Sequence, residues 1–247
     1  MKSDPFAQLK LLEIQELDSK ALQLRHAKAN LPEVAQARAI AVERVGVENE
    51  TRDARVVVLD LSSAQSKAET DVETVRARRR RDQERVDSGA ISNPKDLAAM
   101  TAEIENLDRR IAVLEDEELE VMEALEAAQK VLDEHEAHLA TYDQKIEALR
   151  TQHAEKVAAL EAELAEVEGA RPETVEGMPA DLLALYDKIR ESKGGVGAAE
   201  LRARKCGGCG LTLDAAELSR VRSLQSNEVA RCEECGRIMV RTAESGL

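Results

Sequence analysis

A heptad repeat runs without a stutter from Leu97 to Val167, and a chain that carries it is committed to a long helix packed along a seam. Leu97, Ile104, Ile111, Leu125, Leu132, Leu139, Ile146, Leu160 and Val167 share one position of the repeat. Met100, Leu107, Leu114, Val121, Ala128, Tyr142 and Leu149 share the other. This 3-4 alternation is that of a left-handed coiled coil. Glu118, His135, His153, Lys156 and Glu163 interrupt it, and polar residues in a seam set register or meet a local partner. The start of the helix is marked by Asn93 as cap, Pro94 at the first helical position and Asp96 in the positive first turn. Gly169, Pro172, Gly177 and Pro179 predict its end.

The residues before this helix supply its partner. Ile14, Leu17, Ala21, Leu24 and Leu31 keep the same rhythm up to Pro32, and Ile40, Val47, Ala54, Leu61, Ala68 and Val75 continue it at sevens. Pro32 removes a backbone donor, so it kinks or divides this arm. Ser88 to Asn93 is the only break between the arms, and so short a connection makes antiparallel neighbours. Helical rise matches the arm lengths only if the piece before Pro32 also lies on the second helix. Facing residue numbers then add to roughly 180. That places Leu61 near Leu119 to Val121, and Leu17 near Leu164.

The four cysteines fall in two matched pairs, Cys206-Gly-Gly-Cys209-Gly and Cys232-Glu-Glu-Cys235-Gly. Two residues between thiolates let the chain fold into a knuckle that presents both sulfurs to one metal, and two such knuckles about twenty residues apart fit a tetrahedral zinc site. Gly210 and Gly236 follow the second cysteine of each pair, where positive φ turns the backbone so that its amides face the sulfurs. Two disulfides, free thiols, or iron in the same cage are the other readings of these cysteines. If the ligands are all cysteine, one zinc is structural, because no coordination position is left for a water.

Composition narrows the function. Of 247 residues only Phe6, Tyr142 and Tyr186 are aromatic, a third are charged, and the formal net charge is −14. Such a charge argues against coating nucleic acid along the whole length. Met1 to Asp4 opens no apolar stretch, and no run approaches the ~20 apolar residues of a membrane span, so the expected location is the reducing cytoplasm. A phosphate-binding glycine loop, a serine elbow and an open metal position are not found, so no enzyme is expected. Arginines gather at Arg78, Arg79, Arg80 and Arg81 near the turn, and at Arg202, Arg204, Arg220 and Arg222 in the cysteine module. They pair with acids on neighbouring elements, or they contact RNA, DNA or an acidic protein. The module also holds Lys205, Arg231, Arg237 and Arg241, but its acids leave it close to neutral, which favours a protein partner.

The expected fold is mainly α: a long antiparallel coiled-coil hairpin, kinked near Pro32, over residues 1–170 with its turn at 88–93, then a short helix and a small β-rich zinc ribbon over 171–247. Ala180 to Arg190 reads as the short amphipathic helix, Leu211 to Leu213 as a strand, Asp214 as the cap of a helix reaching about Val221, and Arg237 to Arg241 as a strand with Ile238 and Val240 inward. The order Ala90-Ile91-Ser92-Asn93-Pro94-Lys95-Asp96-Leu97, acidic heptad helix, Leu185-Tyr186-Asp187-Lys188-Ile189, then the cysteine pairs resembles the bacterial C4-type zinc-ribbon family with an N-terminal coiled-coil hairpin. The resemblance covers essentially the whole chain. It implies a kinked, elongated hairpin and a structural zinc held by Cys206, Cys209, Cys232 and Cys235. It also implies an adaptor role, since members are linked to transcription factors, RNA and secretion or flagellar components. Monomer and homodimer remain equally open at this level.

Overall fold

The computed structural model describes residues 1–247. Five helices and four short strands follow one another: α1 (Pro5–Ala29), α2 (Pro32–Asp87), α3 (Pro94–Val175), α4 (Ala180–Ser192), β1 (Ala198–Arg202), β2 (Lys205–Cys206), α5 (Ala215–Ser223), β3 (Ala230–Arg231) and β4 (Ile238–Arg241). They pack as two compact units, one formed by Val34–Arg150 and the other by Met1–Glu33 with Thr151–Leu247. The boundary expected at 170/171 therefore runs through the second unit, because α1 and the end of α3 share a core with the C-terminal module.

In the unit Val34–Arg150, α2 and α3 run antiparallel. Val47, Val72, Ile104, Leu107, Leu114 and Leu132 are buried in the seam between them. Ion pairs flank it, Arg44 to Asp143 at 2.6 Å and Arg55 to Glu136 at 2.6 Å. Facing residues add to about 187 rather than about 180, as in the pairs Arg44 with Asp143 and Arg79 with Asp108, so the height of Leu61 falls near Glu126 rather than at Leu119 to Val121. The cause is an asymmetric turn. Ala90 to Asn93 joins the helices without regular structure, and α3 begins about two turns beyond the end of α2. Leu97, a seam residue by its heptad position, is 38% exposed there.

In the other unit, α1 lies beside the later part of α3. Lys20 pairs with Glu163 at 3.4 Å, Arg25 with Glu168 at 2.5 Å and Lys28 with Glu161 at 2.5 Å. Leu17 borders a cleft with Val167 and Arg171, beyond the expected Leu164. Asp4 caps α1 by accepting from the Ala7 N–H at 3.1 Å, and Pro5 sits in its first turn. The expected kink at Pro32 is a break. Asn30 closes α1, its side chain donating to the His26 carbonyl at 2.7 Å, and Pro32 opens α2, where its missing N–H costs nothing.

The expected end of α3 is corrected. The helix passes through Gly169 and Pro172 and stops at Val175. An interior proline costs a helix about 3 kcal/mol, so other contacts must hold this turn in place. Arg171 supplies them, donating to Asp18 on α1 at 2.8 Å and to Asp187 on α4 at 2.9 Å. Thr174 adds a bond to the Ala170 carbonyl at 3.0 Å.

The strands form one sheet in the order β2-β1-β4-β3. β1 pairs antiparallel with β2 and parallel with β4, Ala198 opposite Ile238, and β3 pairs antiparallel with β4. Each cysteine pair thus belongs to one hairpin, and the two hairpins lie side by side. One face, with Ala198, Ile238 and Val240, packs on Ala7, Leu11 and Ile14 of α1 and on Leu182, Tyr186 and Ile189 of α4. The other face, with Leu201 and Met239, packs on Leu213, Val221, Cys206 and Cys232. Met239 is therefore buried along with Ile238 and Val240, where alternation had suggested one inward face. The expected strand Leu211 to Leu213 is reduced to a single bridge between Thr212 and Lys205. The first residues join the module too. Lys2 bridges Glu228, and the Ser3 N–H donates to the Asn227 carbonyl at 2.7 Å.

Candidate metal centre

Each knuckle is built by the same backbone device. The Gly210 N–H returns to the Cys206 carbonyl at 2.8 Å, and the Gly236 N–H returns to the Cys232 carbonyl at 2.9 Å. Both glycines have positive φ, 77° and 74°, as their place after each cysteine pair predicts. The tight turn aims amides at sulfur: Gly208 and Cys209 donate to Cys206, and Glu234 and Cys235 donate to Cys232. The knuckles then face one another across the sheet.

All four Sγ atoms lie within 4.8 Å of one another, with Cys206 to Cys235 at 3.9 Å and Cys209 to Cys232 at 3.9 Å. A disulfide would need about 2 Å, so these sulfurs are not bonded in pairs. Tetrahedral zinc with Zn–S near ~2.3 Å places sulfurs about 3.8 Å apart, which is the spacing found. Cys206 and Cys232 are buried, and burial pushes both thiols up, Cys232 to about 12. Burial also acts on Cys235, but the Arg237 and neighbouring donors outweigh it and bring that thiol down to about 7. Four crowded sulfurs, two of them buried, with backbone amides turned toward them, are the donor set of a structural zinc. When bound, the ion crosslinks the two hairpins. With all four sulfurs as ligands the ion would hold the fold together and keep no open position for a water.

Around the centre, arginines are consumed by the fold. Arg237 donates to the carbonyls of Val196 at 3.0 Å, Gly208 at 3.0 Å and Lys193 at 2.8 Å, tying α4 and the first knuckle to β4. Arg241 clamps the loop after α5 through the carbonyls of Leu224, Gln225 and Glu228. Arg231 donates to the Gly236 carbonyl at 3.0 Å. Sequence reasoning grouped these side chains with phosphate-binding candidates, because nothing in the local sequence marks an arginine that bonds backbone carbonyls.

The remaining candidates divide. Arg202 pairs with Glu244 at 2.7 Å, Arg220 with Glu233 at 2.8 Å, and Arg204 donates to the Gly246 carbonyl at 3.1 Å. Near the turn, Arg78 pairs with Glu103 at 2.8 Å, Arg79 with Asp108 at 2.9 Å and Arg80 with Glu73 at 3.1 Å, while Arg76 meets Glu115. Arg81 and Arg222 are exposed. The two arginine clusters are not brought together by either unit.

Sequence reasoning did not reveal a polar knot beneath the sheet. Asp18, buried on α1, accepts from Arg171 at 2.8 Å and from the Tyr186 hydroxyl at 2.8 Å, with Arg190 at 3.4 Å. Asp18 lies beside the apolar stripe of Ile14, Leu17 and Ala21, and that position was the available signal.

Comparison with known proteins agrees with this architecture. Residues 14–194 match the CT398-like coiled coil hairpin domain, and residues 205–239 match the C4-type zinc ribbon domain. The chain is 32% identical to Rv2229c of Mycobacterium tuberculosis over 248 residues, 98% of each chain. ML1638 of Mycobacterium leprae is 26% identical over 232 residues, 91% of this chain and 96% of that one. A solved structure from Mycobacterium smegmatis superposes with a TM-score of 0.77 at 28% identity, covering 98% of this chain and 100% of that one. CT398 from Chlamydia trachomatis shares the fold, with a TM-score of 0.56 at 18% identity over 96% of this chain and 98% of that one. The hairpin match over most of the length, the four-cysteine ribbon and the mycobacterial relative together make this chain a member of the CT398-like coiled-coil hairpin family that carries a C4-type zinc ribbon.

Proposed function

We propose that the protein is a non-enzymatic, cytoplasmic adaptor that binds protein partners through its coiled coil and its ribbon, in transcription or RNA-linked regulation. Cys206, Cys209, Cys232 and Cys235 hold one zinc whose task is to keep the ribbon folded. The observation that carries this reading is how the charged side chains are spent. Most of the ribbon's arginines are tied to its own acids and carbonyls, and most of those near the hairpin turn to acids of the hairpin. Little free cationic surface is left for phosphates, whereas long helices with exposed flanks offer area to partner helices.

A second reading is direct RNA or DNA binding by the ribbon and the arginine-rich turn. It draws on Arg81 and Arg222, which are exposed and make no ion pair. One experiment separates the two. The tagged full chain is used to capture partners with and without nuclease. Protein capture that survives nuclease is the expected result. Capture of nucleic acid, with protein lost on nuclease treatment, would replace the first reading by the second.

A further inference from the structure

Midway along the unit Val34–Arg150, the flank between α2 and α3 opens into a groove of about 1050 Å³. Its floor is apolar, with Val58 on one side and Leu119, Met122 and Leu125 on the other. Ser62 and Ala127 border it and carry too little side chain to fill it. Leu119 and Met122 stand just outside the seam positions Glu118 and Val121, and these large apolar side chains are 56% and 42% exposed.

The rim is acidic. Glu123, Glu126 and Asp133 stand around the groove against the single ammonium of Lys130. Nearer the turn, Glu103, Asp108 and Glu115 each hold an arginine across the seam. Glu123 and Glu126 are exposed and hold none. The groove runs from Leu119 to Asp133, roughly 21 Å at helical rise, which is the length of a helix of about four turns. An apolar floor with a polarizable methionine and unpaired rim charges is what a helix-in-groove contact requires of its receptor.

We propose that this groove docks one basic amphipathic helix of a partner protein, with apolar side chains on Leu119 and Met122 and Lys or Arg side chains against Glu123 and Glu126. A second copy of this chain is the poorer occupant. Two grooves facing each other would bring Glu123, Glu126 and Asp133 against the same acids of the other copy, and like charges across an interface oppose association. The proposal rests on the adaptor reading and names the partner chemistry for its coiled coil.

The test uses the full chain and a labelled 16-residue helical peptide with a leucine stripe at i, i+3, i+4 and i+7 and lysines elsewhere. A scrambled peptide of the same composition and a glutamate-for-lysine peptide are the controls. Fluorescence anisotropy is expected to show the stripe peptide binding at least tenfold more tightly than the scrambled one, and binding is expected to weaken as salt rises. Leu119→Ser with Met122→Ser is expected to remove that tenfold preference, and Glu123→Gln with Glu126→Gln to flatten the salt dependence. Val113→Ser, at an apolar position outside the groove that is also exposed, is expected to change neither. Equal binding of stripe and scrambled peptides, or a preference that survives Leu119→Ser with Met122→Ser, would overturn the proposal. So would sedimentation of the wild type as a dimer that this double variant converts to monomer, which would give the groove to a second copy. In the capture experiment, a nuclease-resistant protein partner still held by the double variant removes the groove but leaves the adaptor reading intact. Failure of the wild type to hold any such partner removes the adaptor reading itself.

Discussion

The Tyr186 hydroxyl donates a hydrogen bond to Asp18 Oδ2 at 2.8 Å, joining α4 to the N-terminal helix under the sheet. Both residues are buried, and Asp18 also holds Arg171. Tyr186→Phe keeps the ring and deletes one bond to a charged acceptor, for an expected loss of about 1–2 kcal/mol. Asp18→Ala leaves Arg171 and Arg190 with only the less buried Asp187 between them, for an expected loss of about 3 kcal/mol. Urea unfolding followed by circular dichroism measures both. Equal costs would mean that the tyrosine, and not the ion cluster, holds this junction.

The same tyrosine carries a pH signature. Burial first, and then the hydrogen bond to Asp18, raise its phenol well above the ordinary value. In the unfolded chain it ionises near pH 10. Between that pH and the higher folded value, the unfolded state holds fewer protons than the folded state, so stability falls as pH rises. The wild type is expected to lose stability above about pH 10 in a way that Tyr186→Phe does not. Parallel alkaline melting curves for the two proteins would contradict this.

Removing the metal should separate the ribbon from the helices. Cys206 and Cys232 belong to the core cluster on one face of the sheet, whereas α1 and α4 pack on the other. Purified protein is expected to hold about one zinc per chain by elemental analysis, since four thiolates close one tetrahedral site. Chelation, or Cys232→Ser, is expected to expose amides from Lys205 to Arg241 to hydrogen exchange while most of the helical signal remains. Collapse of the helical signal along with the zinc would show that the hairpin cannot stand without the ribbon.

Pro172→Ala tests the correction at the end of α3. Pro172 lies inside the helix and has no N–H for the preceding turn. The local conformation is already helical, so alanine restores a donor without asking the backbone to move. A gain of about 1–3 kcal/mol in unfolding free energy is expected. A loss would mean that the proline ring itself packs in the junction.

The register and the site were legible in the sequence to different depths, for physical reasons. Heptad positions found the seam because burial of Ile104, Leu107, Leu114 and Leu132 follows from their spacing alone. The four cysteines and the two glycines with positive φ were readable because knuckle geometry is local. Turn asymmetry was not readable, since nothing in Ile91-Ser92-Asn93 says how far α3 overshoots the end of α2. The passage of α3 through Pro172 depends on Asp18, far away in sequence. Arg237 and Arg241 look like free cations until the carbonyls they bind are placed around them. Local chemistry was legible, and long-range satisfaction of polar groups was not.

The arginine-rich turn gives the last expectation. Arg78 and Arg79 pair with Glu103 and Asp108 across the hairpin, and Arg80 pairs with Glu73 on its own helix. These pairs are exposed, so each contributes about 0.2–1 kcal/mol at most and is screened by salt. Replacing Arg78, Arg79 and Arg80 by Gln is expected to lower hairpin stability by no more than about 2 kcal/mol at low salt, with the difference shrinking as salt rises. Helix content is expected to hold, because Gln and Arg have similar helix propensity. If these arginines instead served phosphate binding, the chain would bind RNA or DNA with an affinity falling steeply as salt rises, and the triple variant would flatten that slope. Their acids already occupy them, and a net charge of −14 repels a nucleic acid laid alongside. Titration of labelled RNA and duplex DNA over a range of salt is therefore expected to give weak binding that the triple variant leaves almost unchanged. A tight, salt-sensitive complex lost in the variant would reverse the ranking of the two functional readings.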